Sequence, residues 1–147
     1  MIKKGILFAV LFSTLLSACV GGKTIPIVST IIIDVSARDD RTKLIEILKS
    51  QAEDRGWIFV DVSDRQSKVD HGKSSIYAAI YSTSGGREFP ELVAYDLDAV
   101  GRPKIMLSDG PDKQRSHRFQ SSLVTDIKSR WPRAKIFGAQ LTGRAGG

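Results

Sequence analysis

Two stretches of this chain carry apolar residues at helical spacing, against six that read as strands. That ratio limits the fold more than any other feature. The first helical stretch, RDDRTKLIEILKSQAEDRGW at 38–57, repeats Leu44, Ile45, Leu48 and Ala52 on one side. Asp39 and Asp40 suit its start and Gly56 its stop. The second places Phe119, Leu123, Ile127 and Trp131 four apart on a single stripe, and Pro132 ends it. Strands are predicted at 30–35, 57–62, 76–83, 91–97, 104–108 and 135–141. Ile31, Ile33 and Val35 share a face of the first. The second is apolar on both faces as far as Asp61, the pattern of a central strand. SGGREFP at 84–90 reads as a turn region, and DAVGRP at 98–103 as a hairpin connection.

The expected order is therefore β-α-β-β-β-β-α-β. Two helices cannot cover both faces of about six strands. The predicted fold class is α+β: a two-layer sandwich with a mixed sheet and both helices on one face. A ferredoxin-like arrangement carrying an extra strand would satisfy it.

The N-terminus points to a compartment. Lys3 and Lys4 precede an apolar run from Ile6 to Leu16, too short for the ~20 residues that span a bilayer. A basic start before a short apolar run is the layout of a secretory signal. LSAC at 16–19 resembles the lipobox of bacterial lipoproteins, matching it at Leu16, Ser17, Ala18 and Cys19. The resemblance implies cleavage before Cys19 and a covalent lipid on its sulfur. Cys19 is the only cysteine, so no internal disulfide can form, and lipid attachment would occupy a thiol otherwise exposed to oxidation. Several acyl chains, each buried methylene contributing ~0.8 kcal/mol, make a lasting anchor. Val20 follows the cysteine, where an Asp tends to retain such proteins in the inner membrane. The resemblance thus implies an outer-membrane lipoprotein facing the periplasm.

The expected division is a signal peptide at 1–18, a lipidated Cys19 and tether at 19–28, one domain at 29–142, and a loose tail at 143–147. The tether VGGKTIPIV reaches ~30 Å fully extended, so the domain stays near its membrane. Charge is uneven along the chain. Residues 19–100 hold ten Lys or Arg against thirteen Asp or Glu, and residues 101–147 hold ten against three. The C-terminal third should attract anions.

Candidate chemistry starts with a near-repeat. IIIDVSAR at 31–38 and IFVDVSDR at 58–65 both end an apolar run in Asp-Val-Ser. A strand-helix-strand unit would bring Asp34, Ser36, Asp61 and Ser63 to one end of the sheet, where ligands commonly bind. The element resembles the start of the metal-adhesion motif of von Willebrand A domains. That motif continues with a second Ser, where Arg38 and Arg65 stand here, and a guanidinium cannot ligate a cation. No metal site is expected. The plainer role for these Asp and Ser side chains is to bond nearby backbone in turns and caps.

His71 and His117 have no companion at ligand spacing. No GxSxG elbow or phosphate-binding loop appears. Lys113, Arg115, Arg118, Lys128, Arg130, Arg133 and Lys135 lie on or beside the second helix, off its apolar stripe. They are the candidate contacts for an anionic envelope partner, such as lipid headgroups, cell-wall polymer or an acidic protein. Export argues against nucleic acid. The expected function is a non-enzymatic binding or adaptor domain on a lipid anchor, with the covalent lipid on Cys19 as its only prosthetic group. The competing expectation is a small envelope hydrolase using Asp34, Asp61 and a histidine.

Overall fold

The structure is a computed structural model that describes residues 26–35, 38–65, 75–96 and 101–138. The chain runs β1 (Ile27–Ile32), α1 (Arg38–Glu53), β2 (Ile58–Asp61), β3 (Tyr77–Ser84), β4 (Arg87–Tyr95), β5 (Lys104–Ser108), α2 (Lys113–Arg130) and β6 (Lys135–Phe137). This is the expected α+β sandwich. The signal, the lipobox and the tail at 143–147 lie outside the described residues.

Local chemistry explains each element. Asp39 and Asp40 place negative charge at the positive end of α1. Gly56, with φ of 65°, closes the helix as only glycine does without strain. The Gly56 N–H donates to the Glu53 carbonyl at 3.0 Å and the Trp57 N–H to the Ala52 carbonyl at 2.9 Å, the Schellman pattern. Asp112 caps α2 by accepting from the Arg115 N–H at 3.0 Å. Gly85 and Gly86, both at positive φ, form the two-residue turn between β3 and β4.

The sheet order is β2-β3-β4-β5-β1-β6, and each neighbouring pair is antiparallel. The expected mixed sheet is therefore antiparallel throughout. The four strands β2 to β5 form a meander. The crossover through α1 passes over three strands, and the one through α2 passes over β1. Strand direction gives the sheet two ends. The proximal end carries the starts of β1 and α2 and the finish of β5. The distal end carries the finishes of β1 and β2, because those strands run the same way.

Alternation splits the sheet into two faces. Across one face, Ile136, Ile31, Ile105, Ala94 and Ala78 stand in register. These residues join Leu44 and Leu48 of α1 and Phe119, Leu123 and Ile127 of α2 in one core. The helices run antiparallel, since Asp40 meets Arg130 and Gln51 meets Ser122. Neither α1 nor α2 covers the opposite face.

Several expectations are corrected. β2 is an edge strand, with Ile58 and Val60 36% and 39% exposed. Its apolar character on both faces comes from an uncovered sheet face. β1 begins at Ile27, so Ile27 and Val28 belong to the sheet and not to the tether. β4 begins at Arg87, so REFP continues the hairpin. Residue 97, at the predicted end of β4, residues 98–100, in the predicted β4–β5 connection, and 139–141, at the predicted end of β6, lie outside the described residues.

Candidate functional site

The two strand-end aspartates share the distal end but not a site. β1 and β2 are four strand spacings apart in the sheet order, or ~19 Å at ~4.8 Å each. Their faces differ as well. Ile33 and Val35 are buried against the helices, so the exposed Asp34 between them points to the open face. Asp61 is in register with the buried Ala78 and belongs to the helix side. The near-repeat is out of phase by one residue: Ile33 is core, whereas its counterpart Val60 is exposed. One substrate atom cannot lie within reach of both carboxylates. The hydrolase expectation loses the pair on which it rested.

Asp61 and Ser63 have structural work. The Asp61 carboxylate accepts from the Ser63 N–H at 2.9 Å. The Ser63 hydroxyl accepts from the Tyr77 N–H at 3.0 Å and donates to the Tyr77 carbonyl at 3.4 Å, carrying the β2–β3 pairing past the strand end. Asp61, Val62, Asp64 and Arg65 line a hollow of about 300 Å³ that opens to solvent. Cys19, Ser36 and His71 lie outside the described residues. His117 is at the proximal end, 3.4 Å from Asp109. Among the described residues no group of three or more His, Cys, Asp or Glu is placed to hold a metal ion, and no helix is long and apolar enough to cross a membrane.

The seven cations of the second helix region divide by what they touch. Arg130 pairs with Asp40 at 3.0 Å, bracing α2 against α1. Lys128 donates to the Ala134 carbonyl at 2.7 Å and the Pro132 carbonyl at 3.4 Å, closing the helix end. Arg115 donates to the Arg55 carbonyl at 2.6 Å, and its guanidinium lies 5.2 Å from the Trp57 ring centre. These three are bound into the fold. Lys113, Arg118, Arg133 and Lys135 are exposed and make no ion pair among the described residues. Lys113 and Arg118 sit at the proximal end, Arg133 and Lys135 at the distal end, ~27 Å apart along the helix at 1.5 Å per residue. The cationic surface is two clusters rather than one stripe.

Two features escaped the sequence. Arg55 donates to the backbone carbonyl and side-chain oxygen of Gln51 at 2.9 and 2.8 Å, and it lies 5.3 Å from the Phe119 ring centre. Burial lowers its pKa from the ordinary arginine value. Together with Arg115 it frames the Trp57–Phe119 edge-to-face pair, whose centroids are 5.1 Å apart.

The second is Glu91, 1% exposed inside the proximal end. A register shift between Ile80 and Tyr81 leaves Glu91 outside the strand pairing, at a β-bulge. Its oxygens accept from Ser82 at 2.6 Å and Ser116 at 2.7 Å. Burial raises its pKa above the ordinary glutamate value. Hydrogen bonds from Ser82, Ser116 and the Gly110 backbone oppose that shift, and nearby Asp109 adds to it. Buried and bound by serines of β3 and α2, this carboxyl ties those elements to β4 as a structural group. Pro90 was the one sequence sign of irregularity in that strand.

No family model, curated protein or solved structure matches the chain.

Proposed function

We propose that the chain is a lipid-anchored envelope protein whose small α+β domain binds an anionic partner. Cys19 carries the lipid, and the free cations Lys113, Arg118, Arg133 and Lys135 supply the contacts. The observation that carries the binding reading is that these four exposed cations make no ion pair among the described residues. The anchoring reading rests on the LSAC element and the lone cysteine. The tether would keep the proximal cluster, Lys113 and Arg118, beside the lipid headgroups. The distal pair faces away from the membrane, toward cell-wall polymer or a protein.

Two experiments test these readings separately. Cys19→Ala should leave an uncleaved precursor that takes up no palmitate analogue; normal processing of the variant would refute the anchor. For the anionic partner, Arg118→Glu combined with Arg133→Glu avoids the residues that brace the fold. Each Lys or Arg near an anionic surface contributes ~1 kcal/mol, so the double reversal should weaken binding roughly tenfold or more. The full chain in neutral detergent should leave an anionic-polymer column at clearly lower salt. Unchanged elution would count against these cations.

A further inference from the structure

The face of the sheet turned away from the helices is apolar where a solvated face would alternate toward polar residues. Register places Phe137, Thr30, Met106, Val93, Ala79 and Val60 in one row across all six strands. The next row toward the distal end is Lys135, Ile32, Lys104, Tyr95 and Tyr77. With Tyr81 beyond the central row, this face holds all three tyrosines of the chain. Phe137 is 53% exposed. Tyrosine and methionine are enriched at the buried centres of protein interfaces, and lysine is depleted there.

We infer that this face binds the same face of a second copy, about a two-fold axis running parallel to the strands between β4 and β5. Six strands at ~4.8 Å and about six residues at ~3.3 Å give a flat footprint of roughly 570 Å². That is most of the ~800 Å² per partner in a standard interface, before side-chain relief is added. The axis lays β5 of one copy over β4 of the other. Met106 then meets Val93 of the second copy, and the Lys104 ammonium meets the Tyr95 ring of the second copy, a favourable cation–π pairing. Lysine does not meet lysine. Sheets packed this way keep their strands roughly aligned, as face-to-face sheets prefer.

A lipid surface suits the face less well. Its charged residues sit at both ends, Lys104, Lys135 and Asp34 toward the distal end and Glu88, opposite Thr83, at the proximal end, so an acid would face the headgroups where β1 begins. The choice of axis rests on the anchor reading. A two-fold parallel to the strands sends both β1 starts, and hence both tethers, toward one membrane. A two-fold across the strands would send them to opposite sides. Shared anchoring also raises the effective concentration of one copy beside another.

Cysteine crosslinking tests the arrangement in the full chain, both in native membranes and after purification in detergent. Val93 and Met106 also face each other within one sheet, so the two cysteines are placed on separate copies: differently tagged Val93→Cys and Met106→Cys chains, co-expressed, should give a disulfide-linked dimer of one with the other as the main crosslinked species. Each single variant should give little, as should a control pair on the exposed side of α1, Lys43→Cys with Ser50→Cys. Lys104→Glu, an exposed change made in both chains, should reduce the yield of the co-expressed pair several-fold. Strong dimers from either single variant would place each residue over itself and overturn this axis. Absence of dimer from the co-expressed pair, or crosslinks to a different protein, would overturn the second copy. Repeating the series with Cys19→Ala separates failure of the dimer from failure of the anchor.

Discussion

Phe119→Ala should cost the domain ~3–5 kcal/mol, the range for deleting a fully buried aromatic side chain. Phe119 is 0% exposed and belongs to the stripe that joins α2 to the sheet. It forms the edge of the Trp57 pair, and the Arg55 guanidinium rests against it. Truncation therefore removes a ring, an aromatic contact and the support beneath a cation. Small domains hold ~5–15 kcal/mol in all, so the loss takes a large share of the total. Urea unfolding followed by tryptophan fluorescence should show the midpoint fall sharply. The exposed Lys43–Glu46 pair, 3.1 Å apart, is the control, because such a pair contributes ~0–1 kcal/mol. A midpoint shift no larger than that of Lys43→Ala would mean that α2 does not pack as described.

The second large effect concerns Glu91 and the glycine beside it. Folding raises the pKa of this carboxyl, so the folded protein favours the protonated form more than the unfolded chain does. The stability linked to Glu91 is then fully present below the unfolded value of ~4.3 and is lost as pH rises through the raised folded value. Between those two values this residue makes the domain less stable with increasing pH, opposite to the effect of a salt-bridged carboxylate. Glu91→Gln should abolish that part of the pH dependence in urea titrations, and at neutral pH it should match or exceed the parent. A parent and variant with the same pH slope would refute the assignment.

Gly110 is bound to the same group. A Cβ built there would collide with the Glu91 carboxyl oxygen and lie 2.9 Å from its carbon. Gly110→Ala should therefore displace the carboxyl from its serines, at the ~1–3 kcal/mol typical of overpacking or more.

The two helices were legible because their signals are local. Phe119, Leu123, Ile127 and Trp131 recur every fourth residue, and all four are buried. The strands of the meander were legible for the same reason. The position of β2 was not, because strand order depends on which segments pair across the whole chain. An apolar run reads alike whether it is buried on both faces or left at an edge beside an uncovered face. The repeated Asp-Val-Ser misled for a related reason. Matching letters carry no phase, and a one-residue slip places Asp34 and Asp61 on opposite faces. Among the cations, composition gave the surplus, but only contacts distinguish Arg130, held by Asp40, from the free Arg133. Glu91 was read as the polar start of a strand. Its burial depends on a bulge and on two serines far from it in sequence.

The place of β1 in the sheet also sets a timetable. Ile31 pairs with Ile105 on one side and Ile136 on the other. A chain that emerges N-terminus first can close the β2–β5 meander between strands adjacent in sequence while its first strand has no partner on either edge. That strand can dock only after β5 has followed, and its second edge is covered only when β6 arrives. Long-range pairings of this kind form late and slowly, because the connecting loop must be ordered before contacts compensate for it. The first strand of the sheet in sequence, β1, is consequently among the last to be fixed.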